Sequence, residues 1–522
     1  MQYDAIIIGS GHNGLVAAFY LAQAGKRVLI VEARDIIGGC CVTEELIPGY
    51  RFSTCANVVW ALRPKIIKEM RLFERGLKVD KKDSIRLLPD GRYFYTRQPS
   101  DSATSNENQY SFRSEIAKFS QNDAEAFPRW QEFWSRISRI LGPYLLQAPP
   151  RLDELYSRCS DPADQQALHT VLTHSIADLA DQFFESDIMR NAEGGAPDIG
   201  SAYDVGTGLL RSIWFTLRNY TETGEPVPTG YVRGGMGQIT ALMGKTVREL
   251  GVEILTGSPV SRIVVEDGQA YGIELVSGEQ ILGGTVISNA DPKRTFLRLV
   301  DPAQLDATFV KRVQGIQTQV GTCLKLHCAL SEFPEYRIKH GLSAEQLRRA
   351  DVTIGPNREY REAAWQMAER GKLPRAPLIQ ALTPSIYDPS LAPPGRYAWS
   401  AYIYWAPIRL RQGTWDDRRE EMAKRLFAQM DSYAPNFSRA VLDYRLLTPA
   451  DLQSRMYLTD GNIHHVDGTS TQMLWQRPLK ELAYYRTPIQ RLYLCGAGMH
   501  PWGEVSGAPG HNAAHVVLSD LE

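Results

Sequence analysis

Apolar positions change their spacing along this chain, and each change predicts a different element. In "YDAIIIGSGHNGLVAAFYLAQAGKRVLIVEARD" a continuous run, Ala5 to Ile8, stops at a glycine, the pattern of a short strand buried in a parallel sheet. A helix is predicted from Gly14 to Ala24, then a second strand from Arg27 to Val31 that ends at Glu32. "RLLPDGRYFYT" predicts a hairpin turning at Asp90-Gly91, because Asp-Gly tolerates a tight turn's positive φ. "QPSDSATSNENQ" predicts a polar loop. Asp123 is then placed to cap a helix on which Trp130, Phe133, Trp134, Ile137 and Leu141 recur at helical spacing, with Arg129, Arg136 and Arg139 on its other side. Such a stripe is ordinarily core; the sharper readings are a wall of an apolar substrate tunnel or a face resting on a membrane.

The middle of the chain repeats the opening texture. Gly234, Gly235 and Gly237 lead into a helix, and alternating strands follow with turns at Glu266-Asp267-Gly268 and Ser277-Gly278. "RYAWSAYIYW" predicts a strand with Trp399, Ala401, Ile403 and Trp405 on one face. Thr414 is placed to cap a helix from Trp415 to about Met430. The last stretch, "LYLCGAGMHPWGEVSGAPGHNAAHVVL", is again strand, glycine-rich turn and helix. Nucleotide-type units at the start, middle and end predict one discontinuous cofactor domain, residues 1–62, 228–300 and 480–522. A discontinuous substrate domain takes residues 63–227 and 301–479.

The opening turn carries the first candidate chemistry. Gly9, Gly11 and Gly14 form G-x-G-x-x-G: the first for a tight turn, the second for backbone approach to a pyrophosphate, the third for close helix packing. The helix N-terminus offers free N–H groups and the positive end of its dipole to phosphates. Glu32 is placed to accept hydrogen bonds from a ribose hydroxyl. Strand, turn, helix, strand and terminal acid together point to a dinucleotide, without separating NAD from FAD.

Composition narrows the classes. The 522 residues allow a large core and about two to four domains. Lys and Arg number 58 against 59 Asp and Glu, a balance that suggests no nucleic-acid partner. Seven scattered cysteines without C-x-x-C spacing argue against a disulfide scaffold or a metal site and for a reducing, cytoplasmic setting. Cys40 and Cys41 read as small apolar side chains beside a turn. The first strand starts at once, leaving no room for a signal peptide, and no apolar run approaches the roughly 18 residues needed to span a bilayer.

Nearly the whole chain resembles the FAD-dependent phytoene desaturase and amine oxidase superfamily. G-S-G-H-N-G, with Asn13 inside it, Glu32-Ala33 and Gly38-Gly39 look like its flavin signature. "GSPVSRIVVEDGQAYGIEL" is similar to the segment whose valine, here Val260, meets the adenine. "GNIHHVDGTSTQMLWQRP" and "GAGMHPWGEVSGAPGHN" are similar to the branch of the CrtO-type beta-carotene ketolases and the pyridine nucleotide-disulfide oxidoreductase domain-containing proteins, with matches that include Gly496, Gly498, His500, Ser506, Gly507, Gly510 and Asn512. The resemblance implies an α/β fold: a Rossmann-like FAD-binding domain of the glutathione reductase type with a mixed α+β substrate domain. His465 and Asp467 are expected to form a hydrogen-bonded turn. "GTCLKLHCALSEFP" looks like the amine oxidase strand whose lysine, here Lys325, holds a water near flavin N5 and favours dioxygen reduction; the plainer reading pairs Lys325 with a carboxylate.

The resemblance implies a desaturase or oxidase that moves hydride from a C–H bond of an apolar or conjugated organic substrate to flavin N5. The aromatic residues around Trp130–Trp134 and Trp399–Trp405 are expected to line the pocket. Dioxygen is the expected acceptor, with a quinone as the alternative. Two rival functions share the fold: an amine or amino-acid oxidase on a smaller polar substrate, and a non-enzymatic binder of the GDP-dissociation-inhibitor type, which the intact flavin-type turns disfavour. Peripheral membrane contact stays open. Glu504 and Trp502 stand where the ketolase-like pattern has small residues and are expected to reshape the reacting end of the pocket, so Glu504 is the candidate base, with Lys325 and His500 as further catalytic candidates. A carboxylate there, unless paired, does not suit a purely hydrocarbon substrate. No metal is expected.

Overall fold

The computed structural model describes residues 3–97, 112–194, 200–339 and 341–522; the polar loop expected at 98–109 lies outside them. A five-stranded parallel sheet runs in the order Leu492–Leu494, Val286–Ser288, Ala5–Ile8, Val28–Val31, Glu253–Leu255. Its central strand is buried throughout and pairs Ile7 with both Ile30 and Ile287, which is why the opening run has no polar alternation. The start, middle and end of the chain thus meet in one sheet. The first helix, His12–Gln23, starts two residues before the expected Gly14, because Gly11 already stands at its N-cap.

A three-stranded antiparallel sheet, Val260–Glu266, Gln269–Leu275 and Gln280–Leu282, flanks it, with the expected turn at Asp267 and Gly268, both at positive φ. The largest sheet has seven strands: Val441–Leu447, Leu324–Leu330, Tyr397–Tyr404, Leu378–Leu382, Ala350–Ile354, Asp83–Leu87 and Tyr93–Thr96. The last two form the expected hairpin, with Gly91 at φ +81°. Helices from 121 to 219 pack beside it around their own aromatic core.

Two local expectations change and others hold. Ser120, not Asp123, caps the helix Gln121–Leu141; Asp123 sits in its first turn, buried, and accepts from the backbone N–H of Glu185 (2.7 Å) and Ser186 (3.0 Å). Both residues are good caps, and the longer-range bonds decide between them. Trp130, Trp134, Ile137 and Leu141 are core, the ordinary reading of that stripe, which leaves these four side chains no membrane-resting face. Trp405 lies beyond its strand and packs with Tyr404 and Leu378, apart from Trp399, Ala401 and Ile403. Thr414 caps the helix Trp415–Tyr433 as expected, accepting from the Asp417 N–H. Among the described residues, no helix is long and apolar enough to cross a membrane.

Candidate active site

A cavity of about 1220 Å³ opens at the strand-to-helix turn of the parallel sheet and continues between the seven-stranded sheet and the aromatic helices. Gly9, Gly11, Asn13, Glu32, Ala33, Gly39 and Val260 line its first part. Gly9 takes φ +95°, the tight turn that only glycine enters easily. The helix His12–Gln23 has neither a side-chain cap nor an acid in its first turn, so its N-terminal N–H groups stay available to an anion. The Oδ1 of Asn13 is buried there without a donor. Glu32 is fixed by Ser10, whose N–H (2.8 Å) and hydroxyl (2.6 Å) donate to one carboxylate oxygen, and by the Arg34 N–H (3.0 Å) on the other. The oxygen that Arg34 meets accepts only that one bond and keeps a second lone pair for a ribose hydroxyl. An uncapped helix end, an orphaned amide oxygen and an acid at the second strand's end fit the adenosine diphosphate half of FAD.

The other expected cofactor residues stand behind this wall. A Cβ on Gly14 would meet the Gly9 carbonyl at 2.3 Å, and one on Gly510 would meet the Asn13 carbonyl at 2.1 Å. Gly38, Gly496 and Gly498 likewise permit close packing, and Gly507, at φ +75°, starts the helix Ala508–Leu521. Ser506 accepts from the Ala508 N–H (3.2 Å), and the Asn512 amide donates to the carbonyls of Leu145 (3.2 Å) and Gln147 (2.9 Å). These residues shape the cradle without lining the cavity. Glycine-rich spacing cannot separate the two jobs, since both need the missing Cβ.

Around Glu504 the cavity gathers histidines. The Glu504 carboxylate lies 3.9 Å from His464 Nδ1, and the Glu504 carbonyl is 3.2 Å from His12 Nε2. His12, His464, His465 and Glu504 all line the cavity. Burial pushes His12 and His465 down to about 4, so both are neutral at physiological pH. His465 and Asp467 sit in the hydrogen-bonded turn expected of them, with the His465 N–H on the Asn462 carbonyl (3.1 Å) and the Asn462 amide on Asp467 (2.7 Å). Asp467 also accepts from the N–H groups of Gln319 (2.6 Å), Val320 (2.9 Å) and Gly321 (3.0 Å) of another segment.

Two expectations at this turn fail. Trp502 does not reshape the cavity: it is fully buried, with the Arg477 guanidinium 4.4 Å from its ring centre. Arg477, itself buried, donates to the carbonyls of Met499 (3.0 Å), Ala497 (3.0 Å), Val466 (3.2 Å) and Gln472 (3.2 Å), tying together the two stretches that carry His464 and Glu504. His500 is turned away from the cavity; its Nε2 meets the Tyr144 carbonyl at 2.8 Å. Lys325 is buried on its strand and is not part of the wall. Its ammonium donates to Asn57 Oδ1 and sits 3.6 Å from the Tyr402 ring centre, and both of those residues do line the cavity. Among the described residues it has no carboxylate partner, so the plainer reading of Lys325 is also corrected.

Residues 14–510 match the family of flavin containing amine oxidoreductases. The chain belongs to this family. It is an FAD-dependent oxidoreductase, in keeping with the cradle at its first turn. The pyridine nucleotide-disulfide oxidoreductase domain-containing protein 2 of Mus musculus is 34% identical, over 100% of this chain and 94% of that protein. A limonene dehydrogenase polypeptide of Castellaniella defragrans is 25% identical over 100% and 95%, and the lycopene-forming phytoene desaturase of Pantoea ananas 27% over 99% and 99%. An oxidoreductase from Methanosarcina mazei shares the fold at TM-score 0.61 and 17% identity, over 99% of both chains. Putrescine oxidase with bound putrescine shares it at TM-score 0.59 and 16% identity, over 100% of this chain and 99% of that one.

Of the aromatic lining expected from Trp130 to Trp134, Trp130 stands in the wall; most of the remaining cavity was missed in the sequence. Tyr402 and Tyr404 line it instead of Trp399 and Trp405, because the strand turns its tryptophan face to the core. Cys40 and Cys55, hydrogen-bonded to each other, also line it. Arg211, Trp214, Phe215 and Arg218 face the cavity from the helix Thr207–Asn219. Their i, i+3, i+4, i+7 spacing was a legible signal. So was the alternation of Lys82, Ser84 and Arg86, which puts them on one face of the strand Asp83–Leu87 and the residue before it.

Proposed function

We propose that this oxidoreductase withdraws hydrogen from a C–H bond of an apolar or conjugated organic substrate held in the cavity. The observation that carries the reading is the cavity's continuity: the phosphate-binding turn and an aromatic chamber of Phe127, Trp130, Trp214 and Phe215 line one space. The hydrocarbon names of two relatives, limonene dehydrogenase and phytoene desaturase, support the same class. Bound FAD supplies the two-electron acceptor. The chain's own part is to hold the substrate, exclude water and take up the proton. Glu504 is the proton acceptor in this reading, with His464 beside it and the neutral His12 and His465 adding no competing charge. Reoxidation is assigned to dioxygen, with a quinone as the alternative.

A small cationic amine is the weaker substrate. Lys82, Arg86, Arg97, Arg211, Arg218 and Arg361 line the chamber against Glu193 and Asp351, a balance that repels an ammonium group. The division into cofactor domain (residues 1–62, 228–300 and 480–522) and substrate domain (residues 63–227 and 301–479) belongs to the same proposal, as does a cytoplasmic setting, which seven cysteines outside any disulfide support.

Anaerobic screening of candidate substrates for loss of flavin absorbance tests the reaction class. With a substrate in hand, Glu504→Gln is expected to slow flavin reduction by roughly two orders of magnitude and to flatten its pH profile. Wild-type rate and profile in that variant would remove Glu504 from the mechanism.

A further inference from the structure

The aromatic chamber contains cations whose charge nothing described balances. Glu193 accepts from Arg211 (2.8 Å) and from the Trp130 indole N–H (3.0 Å), and Lys82 is paired with Asp351. Arg86 and Arg218 also sit in the field of Glu193, yet neither guanidinium has an ion pair or a hydrogen bond among the described residues. The surrounding protein pushes Arg86 down to about 10, and nearby protein atoms together with the Arg211 charge lower Arg218, whose side chain is exposed towards the cavity. Trp214, between Arg211 and Arg218 on the same helix face, keeps its indole N–H buried with no acceptor. Arg86 is half-buried and Arg218 is open on the cavity side, so two unpartnered guanidinium groups face the space into which the stranded Trp214 donor points, and an incoming anion satisfies all three.

We propose that the substrate carries an anionic head group, a carboxylate or a phosphate, which Arg86 and Arg218 bind while its apolar body lies among Phe127, Trp130, Trp214 and Phe215. The proposal rests on the oxidoreductase reading of this cavity and adds the head group to it. Guanidinium forks suit either oxyanion, because both present paired oxygens at matching spacing.

The test uses FAD-loaded protein and three probes with the same chain: octanoate, octyl phosphate and 1-octanol, titrated calorimetrically. At least one anion is expected to bind about tenfold or more tightly than the alcohol, as charge-assisted hydrogen bonds require. Added salt should erode that preference, and the tighter anion names the head group. Arg86→Gln with Arg218→Gln should abolish the preference and leave octanol binding within about twofold. Arg218→Gln alone, at a position open to the cavity, serves if the double variant folds poorly, and Arg218→Lys should restore part of the affinity. Parity of the anions with octanol, failure of both anions to bind, or a preference that survives in the variants overturns the proposal. Flavin absorbance of the same samples separates the two readings. Wild-type protein that cannot be loaded with FAD sinks the oxidoreductase assignment, whereas anion parity in yellow protein sinks the head group alone.

Discussion

Lys325→Met probes how far the protein has removed a cation from water. Burial pushes Lys325 from 10.5 down to about 7, although the Asn57 carbonyl and the Tyr402 ring both favour the charged form. The unfolded chain therefore holds a proton that the folded chain lacks between about pH 7 and pH 10.5. Stability contributed by this site rises with pH through that window, and below about 7 the full cost of the buried charge is present. At about 1.36 kcal/mol per pH unit the whole window spans roughly 5 kcal/mol. Methionine fills similar volume and carries no proton. The wild type should therefore gain about 2 kcal/mol on the variant between pH 7 and pH 9. Denaturant unfolding of both proteins at the two pH values, with matched FAD content, measures this; taking the difference cancels every other titration. A difference that stays flat from pH 7 to pH 9 refutes the depressed lysine.

Two further substitutions test the cradle and the scaffold behind it. Gly14→Ala forces a Cβ against the Gly9 carbonyl, which cannot move, whereas Gly11→Ala meets the tip of Asn289 at 2.9 Å. The first should cost about 1–3 kcal/mol and most of the bound FAD, the second less than about 1 kcal/mol, read from melting and from flavin absorbance per chain. Equal losses would show that the side chain of Asn289 is as rigid as backbone. Arg477→Met should cost about 3 kcal/mol or more by stranding several buried carbonyls, and it should loosen the stretch holding Glu504, visible as faster hydrogen exchange there. Unchanged exchange at residues 497–505 would remove Arg477 from that role.

Local pattern carried the architecture well and the site unevenly. The opening βαβ unit, the Asp90-Gly91 hairpin and the Thr414 cap were legible because each depends on residues a few positions apart. Helix ends moved where two good caps lay three residues apart, as at Ser120 and Asp123. Period two showed that the strand Tyr397–Tyr404 has two faces, but which one meets the cavity depends on what the sheet packs against; the core took Trp399. Around Glu504 there is no period to read. His464 and Glu504 approach one another because Arg477 gathers carbonyls from both stretches, a long-range arrangement without a local signature. The cavity arginines were visible as a stripe, yet a lone stripe of charge ordinarily faces solvent.

The placement of charge also bears on how a substrate would lie. Glu504 stands beside His12 and His464, next to the phosphate-binding turn, while Arg86, Arg211 and Arg218 gather around Glu193 on different elements of the same cavity. An anionic group is repelled by the first cluster and attracted by the second, so a molecule with one charged end has a preferred orientation before any shape is considered. Its uncharged carbon chain is then the part left to approach Glu504. A purely hydrocarbon substrate would gain nothing from the arginines and would leave the buried Trp214 donor without an acceptor. The same cavity thus accounts for two features that conflict in a polyene tunnel, a carboxylate at the reacting end and cations in the chamber, if the substrate is apolar along its length and anionic at one end.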